Sequence, residues 1–223
     1  MSRQIFVGLM TEGNTDNRFL ESIVKKTFDE IGFECNGDVE TYVRFISIDK
    51  TGLGFVEQVL ASSKKGIEEF GIMILCIHSD ADSYNDLNTF QNKIIPAKNE
   101  INQQDENEYC KIITAIVPVQ MLEAWMLADK ELLKIEIGTN KTDTELGINR
   151  NPERISDPKT LIEEAIRIAR IALTQRRRKE LTINELYLPV GQKITIERLD
   201  TLPSFLKFKE AIRDAYRNLN YMQ

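Results

Sequence analysis

Hydrophobic positions along this chain follow two periods in turn, and the alternation predicts strands separated by helices. Gln4 to Met10 is a short apolar run that suits a buried strand. Thr11-Glu12-Gly13-Asn14-Thr15-Asp16 follows it. Phe19, Leu20, Ile23, Val24 and Phe28 then recur at helical spacing, predicting a helix from about Asp16 to Ile31. Thr15 or Asn14 can cap it, and Asp16 in the first turn suits the helix dipole. Glu40 to Ile48 is β-branched and aromatic and predicts a second strand. Gly52 to Lys65 predicts a second helix with Phe55, Val59, Leu60 and Ser63 on one stripe. Gly71 to Asp82 opens with an Ile-rich run too short for a typical helix, as expected of a strand buried on both faces. Asn85 to Asn107 is polar with spaced Phe90, Ile94, Ile95 and Ile101, a long surface helix broken near Pro96. Lys111 to Val117 predicts a fourth strand. This order implies right-handed crossovers and an α/β fold built on a mostly parallel sheet flanked by helices.

Pro118 to Asp129 predicts a helix from about Gln120 that is apolar on nearly every side, and a helix of that kind is buried. Glu123 is then a carboxylate in an apolar sleeve, which needs a cation, several donors or a raised pKa. Pairing with a buried Arg and membership of a metal centre both meet that need. After Asp129 the pattern changes to a polar loop and further helices. Asp157-Pro158 marks a helix start, with Asp as cap and Pro at the first position. Leu202-Pro203-Ser204-Phe205 opens a final helix. The expected division is an α/β core over residues 1–130 and a mainly helical extension over 131–223 packed on it.

The 223 residues suffice for a proper hydrophobic core. No apolar run reaches membrane-spanning length, and the first ten residues lack the pattern of a signal peptide, so a cytoplasmic protein is expected. Cys35, Cys76 and Cys110 match no zinc spacing and are expected to be reduced. The formal net charge of −6 excludes a generally basic nucleic-acid coat. A local basic patch is still available in Arg176, Arg177, Arg178 and Lys179, as either a solvated face or a nucleic-acid contact. The chain's one histidine, His78, has no nucleophile-elbow motif beside it. Thr51-Gly52-Leu53-Gly54 lacks the Gly-Lys-Ser/Thr end of a phosphate loop.

The candidate chemistry lies in the acids at strand ends. Asp80 and Asp82 close the most apolar strand, with one small residue between them. Along an extended strand they would share a face, and in a turn they would still sit at its carboxyl end, where open α/β sheets bind ligands. Adjacent carboxylates repel unless a cation or a shared proton relieves them, and oxygen ligands suit Mg²⁺ or Mn²⁺. The plain alternative is a solvated Asp-rich turn. Glu12 stands at the end of the first strand in the same way.

Glu12-Gly13-Asn14-Thr15-Asp16 after the first strand, Asp80-Ala81-Asp82 after the third, and the helices between them together resemble the Toprim (topoisomerase–primase) domain. Pro118, Glu123-Ala124-Trp125-Met126-Leu127-Ala128-Asp129 and Asp157-Pro158-Lys159 resemble a narrower group of small bacterial Toprim-like and OLD-like proteins, which are associated with ABC-type or OLD-type ATPases in phage-defence loci. The resemblance implies a three-layer Rossmann-type fold and a metal-dependent nuclease acting on DNA or RNA. In it Glu12 would be a general acid/base and at times a metal ligand. Asp80 and Asp82 would hold Mg²⁺ (or Mn²⁺), and Glu123 would be an additional ligand. It further implies an ATPase partner encoded nearby and allows a homodimer. No separate nucleophilic-Tyr domain or zinc module is evident, which sets aside strand passage and primer synthesis. A non-catalytic Toprim-like protein that binds a partner or nucleic acid is the alternative. Phosphoryl transfer of the haloacid-dehalogenase kind ranks lower, because there the Asp-x-Asp motif follows the first strand.

Overall fold

The computed structural model describes residues 3–172, 174, 176 and 180–223. Four strands form one all-parallel sheet in the order β2-β1-β3-β4: β1 (Arg3–Met10), β2 (Val39–Phe45), β3 (Ile74–His78) and β4 (Ile113–Ile116). Every residue of β3 and β4 is buried, as expected of parallel strands covered on both faces. Helices α1 (Asn14–Gly32) and α2 (Phe55–Phe70) make the first two crossovers. The third runs through α3 (Leu87–Thr89), a π-helical turn (Phe90–Ile94) and α4 (Ile95–Gln103). Pro96 does not break this helix. Helical geometry runs on through it, and the widened π-helical turn lies just before it in the chain.

Two apolar layers enclose the sheet. One joins Val59, Ile72, Leu75, Ile94 and Ile101 beneath α2 and α4. The other joins Ile5, Val7 and Leu9 of β1 to Phe19, Ile23 and Phe28 of α1 and to the later helices. Those are α5 (Glu123–Met126), α6 (Lys130–Ile137), α7 (Asp143–Leu146), α8 (Pro158–Ala169), α9 (Tyr187–Lys193), α10 (Ile196–Leu199) and α11 (Pro203–Asn218). Residues after 130 therefore share the core of the sheet. Phe205, Phe208, Ile212 and Tyr216 of α11 are fully buried in it. Each such side chain contributes about 1.5–3 kcal/mol of burial free energy. Helix α9 crosses α1 closely at Gly191, where a Cβ would stand 2.6 Å from Phe19 O. Lys26 of α1 then donates to Gln192 O (2.6 Å) and Ile194 O (2.9 Å), satisfying carbonyls at the end of α9.

Some local expectations are corrected. Helix α1 is capped by neither Thr15 nor Asn14. Gly13 is its N-cap, and the Asp16 carboxylate accepts the Gly13 N–H (2.8 Å). The helix expected from Gln120 shrinks to the four residues of α5, because Gln120 takes a left-handed φ of 62°. The Asp157-Pro158 start is as read: Asp157 Oδ1 accepts from Thr160 N at 2.8 Å. No helix among the described residues is long and apolar enough to cross a membrane.

Candidate active site at the carboxyl edge of the sheet

With strand order β2-β1-β3-β4, the chain leaves β1 in one direction and returns beyond it on the other side at β3. The switch point thus falls between β1 and β3, and their carboxyl ends carry Glu12 and Asp80. Strand β3 ends at His78, so Asp80 and Asp82 lie beyond it. The pairing with the segment after β4 nevertheless continues. Ser79 N donates to Ile116 O (3.1 Å), Ala81 N to Pro118 O (3.0 Å) and Asp82 N to Gln120 O (2.8 Å). Asp82 adopts φ 51°, a conformation costing about 1–2 kcal/mol in a residue with a side chain. Its bond to Gln120, itself left-handed, holds it there. The following loop is anchored by buried Asp86, which receives Lys207 Nζ of α11 at 2.5 Å.

The Glu12 carboxylate faces the backbone amide of Asp80, with Asp80 N 3.4 Å from Glu12 Oε2. Ser79 Oγ donates to Glu12 Oε1 (2.9 Å), and Lys93 Nζ reaches both Glu12 Oε1 (2.7 Å) and Ser79 Oγ (2.8 Å). Burial alone would raise the Glu12 pKa. The hydrogen bonds from Lys93 and Ser79 and the Lys93 charge outweigh it and hold the carboxyl below its usual value. Lys50 supports the turn from below by donating to the carbonyls of Thr11 and Glu12 (2.8 Å to the latter).

Asp80 is oriented by one oxygen. Its Oδ1 accepts from Leu122 N (2.9 Å) and faces His78 Nε2 (3.3 Å). Its Oδ2 takes no hydrogen bond or ion pair among the described residues. His78 is fully buried, with Nδ1 3.5 Å from Asp16 Oδ2. Burial depresses its pKa, but the nearby carboxylates of Asp80, Asp16 and Glu12 reverse that and raise it. Asp82 is exposed, and partial burial with the charges of Asp80 and Glu12 raises its pKa. Glu123 is 5% exposed, and its Oε1 accepts from the Tyr187 hydroxyl. Burial pushes its pKa up, with Asp80 adding to the rise. A phenol, not an arginine, is therefore the partner of this buried acid.

The structure sets Glu12 and Asp80 side by side at the strand ends, whereas Asp82 feels the charges of both and Glu123 that of Asp80, without a side-chain contact to either among the described residues. Arg176 is exposed and makes no contact with these acids among the described residues. Arg177, Arg178 and Lys179 lie outside the described residues. Lys93, Ser79 and Asp16 join the site without having been singled out for it. Lys93 stands 81 positions from Glu12 in a polar segment, where no local pattern marks it. Its π-helical turn is a feature frequent at functional sites.

The donor set fits a hard divalent cation: its free groups are carboxylate oxygens, one aspartate oxygen lacks a partner among the described residues, and the charges of Asp80 and Glu12 act on the exposed Asp82 carboxylate. Among the described residues no group of three or more His, Cys, Asp or Glu side chains is disposed to enclose an ion. The fit is thus to a cation held by one or two carboxylates, with water and ligand oxygens completing its shell, as Mg²⁺ is commonly bound.

The Lys93–Glu12 pair has a pH signature. The depressed Glu12 pKa adds stability above the ordinary value of 4.5, and this is lost as pH falls through the lower folded value. In Lys93→Met the acid keeps its burial without its cation, so its pKa rises instead. Urea denaturation is therefore expected to show a stability gap between wild type and Lys93→Met that is widest at neutral pH and closes in acid. A gap independent of pH would contradict the pairing.

The chain was compared with known protein families, with curated proteins and with solved structures, and nothing in any of the three matches it.

Proposed function

We propose that this protein is a metal-dependent nuclease of the Toprim type, hydrolysing phosphodiester bonds in DNA or RNA. The observation that carries the reading is the Glu12 carboxylate set against the backbone amide of Asp80 at the sheet's switch point, with the open Oδ2 of Asp80 and the exposed Asp82 carboxylate at the same strand end. Asp80 and Asp82 would hold Mg²⁺ or Mn²⁺, with Glu123 behind them. A bound dication neutralises phosphate charge and makes water acidic enough to attack at neutral pH.

The chain's own groups take the remaining roles. Glu12, kept ionised by Lys93, is the proton acceptor for an attacking water. The Lys93 ammonium is placed to bind a phosphate oxygen as that proton is taken. Leu122 N–H fixes Oδ1 of Asp80, and His78 Nε2 stands 3.3 Å from the same oxygen, so Oδ2 can take a cation without the side chain turning. Ser79 with Lys93 does not form a serine nucleophile, because the amine is ion-paired with Glu12 and is not a free base. The basic cluster Arg176, Arg177, Arg178 and Lys179 supplies contacts to nucleic-acid phosphates in this reading. An ATPase encoded nearby, with a role in phage defence, is the partner that the family resemblance suggests.

A second reading is favoured by one observation: Glu12 already has a cation in Lys93, so part of the acidic charge is balanced within the protein. In that reading the chain is a non-catalytic Toprim-like protein that binds a partner or nucleic acid.

The deciding assay follows cleavage of labelled DNA and RNA with Mg²⁺ or Mn²⁺ by wild type and by Glu12→Ala, Asp80→Ala and Asp82→Ala. Metal-dependent cleavage lost in each folded variant is the expected result. Cleavage unaltered in all three would remove the site assignment, and no cleavage by wild type on either substrate would favour the binding protein.

A further inference from the structure

Strand β2 is an edge of the sheet and pairs with β1 alone among the described residues. An open groove of about 420 Å³ runs along it, between residues 41–44 and the α1 side chains Arg18, Glu21 and Lys25. The phase of the β1–β2 ladder shows which backbone groups remain for a new partner. Arg3 N donates to Asp38 O, and Ile46 N donates to Leu9 O. The even-numbered residues of β2 therefore turn their backbone groups toward β1. The N–H and C=O of Val39, Thr41, Val43 and Phe45 point outward.

We propose that β2 pairs antiparallel with β2 of a second copy of this chain, about a two-fold axis through Tyr42. An antiparallel ladder opposes outward groups to outward groups only if the axis passes through a residue and not between two residues. An axis at Tyr42 overlaps the whole strand, setting Thr41 against the partner's Val43 and Val39 against the partner's Phe45. It also sets Glu40 against the partner's Arg44, and Arg44 against the partner's Glu40. Both are exposed, and neither forms an ion pair within its own chain among the described residues. They fall at non-hydrogen-bonded positions, where opposed Cα atoms approach to about 4.5 Å and opposite charges stabilise the pairing. Burial along β2 has the same symmetry. From Val39 to Phe45 it runs partly buried, exposed, buried, partly buried, buried, exposed, partly buried, and reads alike from either end. Tyr42, stacked on Phe6 with centroids 5.4 Å apart, meets the partner's Tyr42 at the axis.

The assembly doubles the four-stranded sheet to eight strands and closes the edge that a lone copy exposes. Because the two halves run in opposite directions, their acidic sites open on opposite edges of the joined sheet. Pairing of this kind involves only β2 and its ladder and does not depend on what the acidic site does.

Sedimentation equilibrium of the full chain tests it. Wild type is expected to be dimeric at tens of micromolar. Glu40→Arg alone and Arg44→Glu alone place like charges across the axis and weaken the dimer by about tenfold or more. The combined Glu40→Arg/Arg44→Glu variant restores opposite charges and brings the affinity back to within about threefold of wild type. Register has its own check: with oxidised glutathione, Tyr42→Cys in a Cys35→Ser background forms a disulfide-linked dimer, whereas Glu40→Cys in the same background does not. A monomeric wild type at about 100 μM overturns the proposal. So do single variants that dimerise as tightly as wild type, or a double variant no tighter than the singles.

Discussion

Replacing Asp80 by Asn is expected to lower metal-dependent cleavage by about 10³-fold, the scale on which losing one preorganised electrostatic group acts, while the protein stays folded. The asymmetry of the Asp80 carboxylate is the reason. Oδ1 is occupied by Leu122 N and faces His78, so it holds the strand end to the entry of α5. Oδ2 faces no partner, so it is the oxygen available to a cation. The amide oxygen of Asn can accept the Leu122 bond, but the side chain no longer carries the charge that anchors a dication. Loss of function should therefore separate from loss of fold, with the melting temperature moving by only a few degrees. Asp80→Ala removes the Leu122 partner as well and should be less stable than Asp80→Asn. Cleavage by folded Asp80→Asn within tenfold of wild type would mean that Asp80 does not touch the reacting centre.

Trp125→Ala is expected to cost about 3–5 kcal/mol, the range for deleting a large buried aromatic. Trp125 is fully buried on α5, edge-on to Phe205 at 5.1 Å and 6.4 Å from Phe208. Its indole N–H donates to Ser204 Oγ (2.8 Å), and Ser204 N is held by Glu153 (3.0 Å). The cavity left behind would adjoin α11, and the Ser204 hydroxyl would lose its donor. For a chain of this size the loss corresponds to a melting temperature lower by roughly 10 °C. Glu123 lies two residues away on α5, so the substitution should loosen that acid too. A fall of less than about 1 kcal/mol in chemical denaturation would show that α5 is not fastened to the core through this ring.

The layered architecture was legible in the chain wherever burial is two-sided. The uninterrupted apolar run before His78 announces a central parallel strand, and Asp157-Pro158 announces the start of α8. Boundaries were less legible. The expected second helix, from Gly52 to Lys65, begins at Phe55 and continues to Phe70, because Gly71 supplies the left-handed residue that ends it. The long helix expected after Pro118 failed because a non-glycine residue, Gln120, takes a left-handed conformation fixed by pairing with the Asp82 loop. Nothing local in Val119-Gln120-Met121 records that pairing.

The same division holds for the candidate site. Glu12, Asp80 and Asp82 stand out because polar residues end apolar strands, a pattern visible in one dimension. Lys93, Tyr187 and the Asp16–His78 contact join segments far apart in the chain, and only the folded packing brings them together. Glu123 was legible as a buried acid but not in its partner, since the Tyr187 hydroxyl arrives from 64 positions away.

Asp80 and Asp82 are proposed to hold a divalent cation on which hydrolysis depends. The most direct test is calorimetric titration of Mg²⁺ and Mn²⁺ into wild type and into Asp80→Ala/Asp82→Ala, each with and without a non-cleavable phosphorothioate oligonucleotide. Cation binding by wild type, strengthened by the oligonucleotide, and none by the double variant at either setting is the expected result. Equal binding by both proteins, or no binding by wild type even with the oligonucleotide present, would contradict it.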